Sequence, residues 1–209
     1  MRNYIMEFLG TFFLVLAIGL TEDPIAFGVM LMAMVYIGGH ISGAHYNPAI
    51  SLGVYLRGKL SSALLPGYML AQTAGAFIAA AVFNHLAGKM LLPTPSPDFA
   101  LWEVAAIEAL FAFVLVAVVL TVATSTKVLR NNDTYGLVIG FTLFTLALSG
   151  RMISGGVYNP AIVVGSALFS ALKGGDVALN GKVLLAYILG PLAGGAIAAY
   201  AYKHLNPEE

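Results

Sequence analysis

The triplet Asn-Pro-Ala occurs twice, as Asn47, Pro48 and Ala49 and again as Asn159, Pro160 and Ala161, each time between long apolar stretches. Proline suits the first turn of a helix and asparagine is a good N-cap, so each triplet reads as the start of a short helix that begins inside a membrane. At such a tip the asparagine carbonyl can engage local backbone while its amide N–H points into a lumen. Asn47 and Asn159 would then offer donors and no acceptor to a passing molecule. A water held there donates outward on both sides and relays protons poorly, and the opposed positive helix ends repel a cation. Gly43, Ala44, His45 and Tyr46, and Gly155, Gly156, Val157 and Tyr158, are expected to be unwound and to present their carbonyls as a ladder of acceptors. The glycines permit that backbone.

Competing chemistry is sparse. With 0 cysteines the chain has no disulfide, thiolate or Cys-based metal site, and its 4 histidines lack ligand spacing across a helix face. The acids stand alone in different spans, so no nucleophile, base or metal set forms, and neither an enzyme nor a cofactor or metal is expected. A formal net charge of +0 with no basic run longer than a pair removes the footprint needed for nucleic acid.

What must hold the two triplets is a membrane bundle. The chain is 59% hydrophobic and only 10% charged, with mean hydropathy +0.88, against about 25% charged residues in ordinary soluble domains. Spans are expected at about Tyr4 to Leu20, Ile25 to Gly39, Leu64 to Leu86, Trp102 to Thr124, Tyr135 to Leu148 and Val183 to His204. The first is read as permanent rather than as a signal peptide, because Glu7 lies within it and no cleavage site follows. Two shorter pieces begin at the triplets, Asn47 to Leu56 and Asn159 to Leu168, each about half a membrane in length at roughly 1.5 Å per residue. A Pro-rich connection, Leu92 to Asp98, divides the chain. A polar turn around Lys127, Arg130, Asn131, Asn132 and Asp133 follows the fourth span.

The halves match in sequence. The run from Glu7 to Val15 aligns with Glu108 to Val116, and the run from Tyr68 to Ala80 with Tyr187 to Ala199. Three spans per half is an odd number, so the second half enters the membrane inverted and the short helices meet tip to tip near the midplane. The expected fold is an all-α membrane protein of six transmembrane helices plus two re-entrant half-helices. It forms one channel domain over 1–209, with inverted repeats at about 1–92 and 98–209.

On these features the chain resembles the aquaporin or major intrinsic protein family over essentially its whole length. The matching runs are His40 to Ala49, the segments opened by Glu7 and Glu108, Gln72 to Gly75, and Gly190 to Gly194. The resemblance implies an aquaporin-like fold, passive conduction of water or small neutral solutes, a homotetramer in the lipid bilayer, and both termini in the cytoplasm. Arg2, Arg57, Lys59, Lys127, Arg130 and Lys203 then fall inside, and Lys89, Arg151, Lys173 and Lys182 outside, a slight positive-inside bias. The short loops suggest a prokaryotic plasma membrane.

One departure from the family matters. Typical members place an Arg directly after the second triplet, where this chain has Ile162. Counted by family spacing, the other filter positions are Phe27, Ala147 and Gly156, with Ala147 replacing the His of strict water channels. This implies a wider, apolar filter. Glycerol channels of the family keep the Arg and commonly follow it with Asp, but here Val163 follows. The uncharged filter instead resembles that of some intracellular plant or divergent microbial members. Water with other small uncharged solutes is the first reading. The alternative is a channel mainly for ammonia, urea, glycerol, carbon dioxide or hydrogen peroxide. A secondary transporter is the rival built on inverted repeats.

Within this fold Glu7 and Glu108 are expected to accept hydrogen bonds from the unwound segments rather than to carry protons. His45 is expected to brace its loop. His40 is a candidate for the inner vestibule and a pH response. Arg151, placed in the external loop eight positions before Asn159, either reaches the vestibule or faces solvent.

Overall fold

The computed structural model describes residues 1–128, 133–174 and 180–209. Arg130, Asn131 and Asn132 of the expected polar turn lie outside the described residues. Among the described residues, eight helices follow in order: α1 Arg2–Thr21, α2 Pro24–Ser42, α3 Pro48–Leu56, α4 Leu65–Ala87, α5 Leu101–Thr124, α6 Tyr135–Ser154, α7 Pro160–Leu172 and α8 Gly181–Leu205. Six of them, of 19 to 25 residues, are long and apolar enough to cross a membrane. The nine residues of α3 and the thirteen of α7 are not.

The two halves are wound alike and then interlocked. In the first half α1 packs on α4, and in the second α5 packs on α8. The halves join where α2 meets α6 and where each short helix lies against the last span of the other half, α3 on α8 and α7 on α4. In lipid, helices gain little from burying apolar surface and rely on close backbone approach, which small residues permit. At the α2–α6 crossing a Cβ on Gly28 would sit 2.5 Å from the carbonyl oxygen of Gly140, and a Cβ on Gly140 would sit 2.5 Å from that of Gly28. The same economy recurs in the matched pairs α1–α4 and α5–α8. There a Cβ on Gly75 would stand 2.4 Å from the Phe8 carbonyl, and one on Gly194 2.1 Å from the Ala109 carbonyl.

Two helices run further than the sequence predicts. His40, Ile41 and Ser42 belong to the last turn of α2, and Arg151 to the last turn of α6 rather than to a loop. The polar residues do not stop these helices; positive-φ glycines do. Gly43 (φ 87) returns its N–H to the Gly39 carbonyl, and Gly155 (φ 82) returns its own to that of Arg151. The short helix α7 also runs on to Leu172, four residues past its expected end.

On the face that carries both termini, the Glu209 carboxyl ties three elements together. Its Oε1 accepts from the Ser125 hydroxyl at 2.8 Å and the Lys127 N–H at 3.2 Å. Its Oε2 accepts from the Tyr202 hydroxyl at 2.8 Å and from Arg57 at 3.2 Å. Arg57 caps the C-terminus of α3, lies 4.9 Å over the Tyr202 ring and donates a second bond, of 2.9 Å, to the Glu209 carbonyl. The Ser125 hydroxyl foremost, then Tyr202, the Lys127 N–H and Arg57, outweigh burial and hold the Glu209 carboxyl down at about 2. A lowered carboxyl stabilises the fold above its unfolded value of about 4.3 and loses that contribution as pH falls toward the folded value. The melting-temperature gap between wild type and Glu209→Gln should therefore stay constant from pH 8 to pH 5, roughly, and shrink between about pH 4.3 and pH 2. A gap unchanged near pH 2 would mean that the carboxylate charge is not what anchors this end.

Candidate functional site

Asn47 and Asn159 are the N-caps of α3 and α7, in extended backbone, with Pro48 and Pro160 opening each helix. The Asn47 Oδ1 accepts from the Ala49 N–H at 2.8 Å and the Asn159 Oδ1 from the Ala161 N–H at 3.1 Å. That fixes which side of each amide is the donor. The donors cross between the halves. Asn47 Nδ2 donates to the Tyr158 carbonyl at 2.8 Å, and Asn159 Nδ2 donates to the Tyr46 carbonyl at 2.9 Å. An amide has two N–H groups, so the two tips lock each other with one and keep the other. The crossed bonds were not expected from the sequence: each asparagine commits part of its amide to the other half of the protein.

Behind the tips stand the two buried acids. Glu7 Oε1 accepts from the Ser42 hydroxyl at 2.6 Å and the His45 N–H at 3.0 Å, while Oε2 accepts from the Tyr46 N–H at 2.6 Å and Gln72 at 2.8 Å. Glu108 repeats the pattern with the Ser154 hydroxyl at 2.6 Å, the Val157 N–H at 3.2 Å and the Tyr158 N–H at 2.6 Å. Each serine in turn accepts one N–H, Ser42 from Ala44 and Ser154 from Gly156. In a trans peptide the N–H and the preceding C=O point opposite ways. Drawing these N–H groups back therefore turns the carbonyls of Gly43, Ala44 and His45, and of Gly155, Gly156 and Val157, away from the anchors. The backbone is strained to do so, with Ala44 (φ 53), Tyr46 (φ 52) and Tyr158 (φ 48) in left-handed conformations that cost a non-glycine residue about 1 kcal/mol or more.

Further ties hold this geometry. The Tyr68 hydroxyl donates to the Ser42 carbonyl at 2.7 Å and that of Tyr187 to the Ser154 carbonyl at 2.5 Å. Tyr46 and Tyr158 reach the carbonyls of Met34 and Leu146. His45 is buried, with its Nδ1 3.1 Å from the Ser51 hydroxyl. Sequence reading missed Ser42, Ser154 and Ser51. A signal for the first two existed, since Ile-Ser-Gly at Ile41, Ser42 and Gly43 recurs at Ile153, Ser154 and Gly155.

Among the described residues, three cavities adjoin one another through shared lining residues, the middle one at the tips. On the terminus-bearing face a vestibule of about 450 Å³ is bounded by Asn3, Lys59, Tyr68, Thr126 and His45 among others. His45 also borders a central waist of about 20 Å³, walled by Asn47, Asn159, Tyr46 and aliphatic side chains. That is space for little more than one water position. Phe27, Gly156 and Ile162 border both the waist and a far vestibule of about 320 Å³. Ala147, the remaining expected filter position, stands behind the ring: it is 1% exposed, and a Cβ on Gly156 would lie 3.0 Å from its Cα and carbonyl oxygen. Leu143, one turn earlier on α6, borders the waist instead. His40 is exposed and bounds none of these three spaces, contrary to its expected place in the inner vestibule. Arg151 does bound the far vestibule.

If the acids act as anchors, Glu108→Gln sets an amide donor against a donor N–H and should lower stability by about 2 kcal/mol. The exposed Glu22→Gln should stay within about 0.5 kcal/mol. Thermal unfolding in detergent distinguishes the two, and equal effects would contradict the anchoring role.

A sequence model of the family described as Major intrinsic protein matches residues 1–202. The chain is 36% identical over 218 residues to Aquaporin NIP1-4 of Oryza sativa subsp. japonica, which spans 97% of this chain and 76% of that protein. It is 34% identical over 229 residues to Glycerol uptake facilitator protein-like 6 of Lactiplantibacillus plantarum, spanning 100% of each. The X-ray structure of the aquaglyceroporin from Plasmodium falciparum shares the fold, with a TM-score of 0.88 over 99% of this chain and 97% of that one at 21% identity. The paired half-helices, the six spans and these matches lead to one conclusion: the chain belongs to the major intrinsic protein family, as a passive, multi-pass membrane channel for water or small solutes rather than an enzyme.

Proposed function

We propose that this channel conducts water together with other small uncharged solutes through these adjoining cavities, with Phe27, Gly156 and Ile162 forming its constriction. The observation that carries the reading is the waist itself: a space of about 20 Å³ where both half-helix tips meet aliphatic walls. A permeant there meets the free N–H of Asn47 and of Asn159. On either side it meets the carbonyls of Gly43, Ala44 and His45 and of Gly155, Gly156 and Val157. These groups replace part of its hydration shell, while the opposed helix ends disfavour cations.

The side chain after the second triplet decides how selective the passage is. An arginine at 162 would add a fixed donor set and narrow the ring; isoleucine adds neither. A ring without that donor binds water less well and tolerates bulkier neutral molecules. The relatives are named as aquaporins and as a glycerol uptake facilitator protein, and the apolar ring favours a mixed permeability. The channel is further proposed to be a homotetramer, with both termini in the cytoplasm of a prokaryotic cell. The terminus-bearing vestibule is then the inner one and the far vestibule the outer one.

Liposome fluxes of water, glycerol, urea and ammonia measured in parallel test this. Ile162→Arg should reduce glycerol and urea permeability by about tenfold more than water permeability, the factor that roughly 1.4 kcal/mol of added barrier gives. Equal reduction of every flux would mean that selectivity is set elsewhere than at residue 162.

A further inference from the structure

We propose that Arg151 supplies, from the end of α6, the positive charge that the constriction lacks, and so rejects cations at the far mouth of the pore; this rests on the pore reading above. Ala147 and Arg151 are four residues apart on one helix and share a face. Gly156 of the ring lies directly on Ala147. Arg151 therefore rises from the same strip of α6, about 6 Å further toward the mouth.

Its direction follows from the helix. Side chains lean toward their helix N-terminus, and α6 runs from the terminus-bearing face to the far vestibule. The Arg151 stem is thus tilted back from the mouth toward the ring. The residues along that path, Ala147, Gly155 and Gly156, carry no side chain beyond a Cβ. Arg151 is exposed, bounds the same vestibule as Phe27 and Ile162, and has no ion-pair partner among the described residues. Among the described residues, the other charges on that wall are Glu22 and Lys89, which offset each other in sign. One positive charge is left over, on the side chain that leans inward.

An isoleucine at 162 with an arginine at 151 separates two jobs that one residue could perform together. The ring stays free of fixed charge, and the charge acts from a step further out. For a monovalent cation about 6 Å from that charge, an effective dielectric between 20 and 80 gives a rejection of roughly 3-fold to 100-fold.

The test is the ratio of sodium permeability to water permeability in proteoliposomes. Arg151→Gln should raise it by roughly 3-fold to 100-fold, Arg151→Lys should keep it near the wild-type value, and adding Ile162→Arg to Arg151→Gln should bring it back down. Because the chain has 0 cysteines, Arg151→Cys carries a unique thiol for charged methanethiosulfonate reagents. A cationic reagent should restore the low ratio and an anionic one should raise it further. Conducting Arg151→Gln and labelled Arg151→Cys proteins with the wild-type ratio would overturn the assignment of Arg151. A wild-type chain that passes neither water nor neutral solute would instead overturn the pore reading itself.

Discussion

Two hydrogen bonds hold the centre of this molecule: Asn47 to the Tyr158 carbonyl and Asn159 to the Tyr46 carbonyl. A half-helix that starts inside lipid exposes N–H groups and a carbonyl-bearing loop where no bulk water can satisfy them, and each unsatisfied group costs several kcal/mol. Either half alone would leave its tip wanting. The inverted repeat solves this by giving each tip the other's carbonyl, so the polar interruption in one half becomes the partner of the interruption in the second. The pairing uses only one N–H of each amide, and both asparagines border the central waist.

The acids make that pairing possible. Tyr46 and Tyr158 can offer their carbonyls across the interface only in left-handed backbone, and Glu7 and Glu108 hold them there by accepting their N–H groups at 2.6 Å. A carboxyl inside a membrane span is expensive. Here each is fully buried and ringed by donors, which is the condition under which such a group is tolerated. Strain in the loop, burial of the acid and polarity of the lumen are three aspects of one arrangement.

Much of this was legible in the sequence because periodicity and polarity in a membrane chain are strong signals. The six spans, the half-length of α3 and the capping role of both asparagines follow from apolar run length and from Asn-Pro chemistry. What failed depended on facts that local sequence does not carry. Gly43 and Gly155 end their helices by adopting positive φ, which residue type alone does not fix, so α2 and α6 ran on and Arg151 moved from a loop to a helix. Ala147 borders neither the waist nor the far vestibule and has Gly156 packed against it, a tertiary contact. Ser42 and Ser154 could have been found by aligning the tripeptides before each triplet.

The central claim is that the two tips form one coupled unit. A double-mutant cycle on Asn47→Ala and Asn159→Ala, read as unfolding free energy in detergent, measures that coupling directly. The crossed bonds predict that the double variant loses less than the sum of the singles, with a coupling of about 0.5–3 kcal/mol. Additivity within about 0.3 kcal/mol would show two independent helix caps and contradict the account.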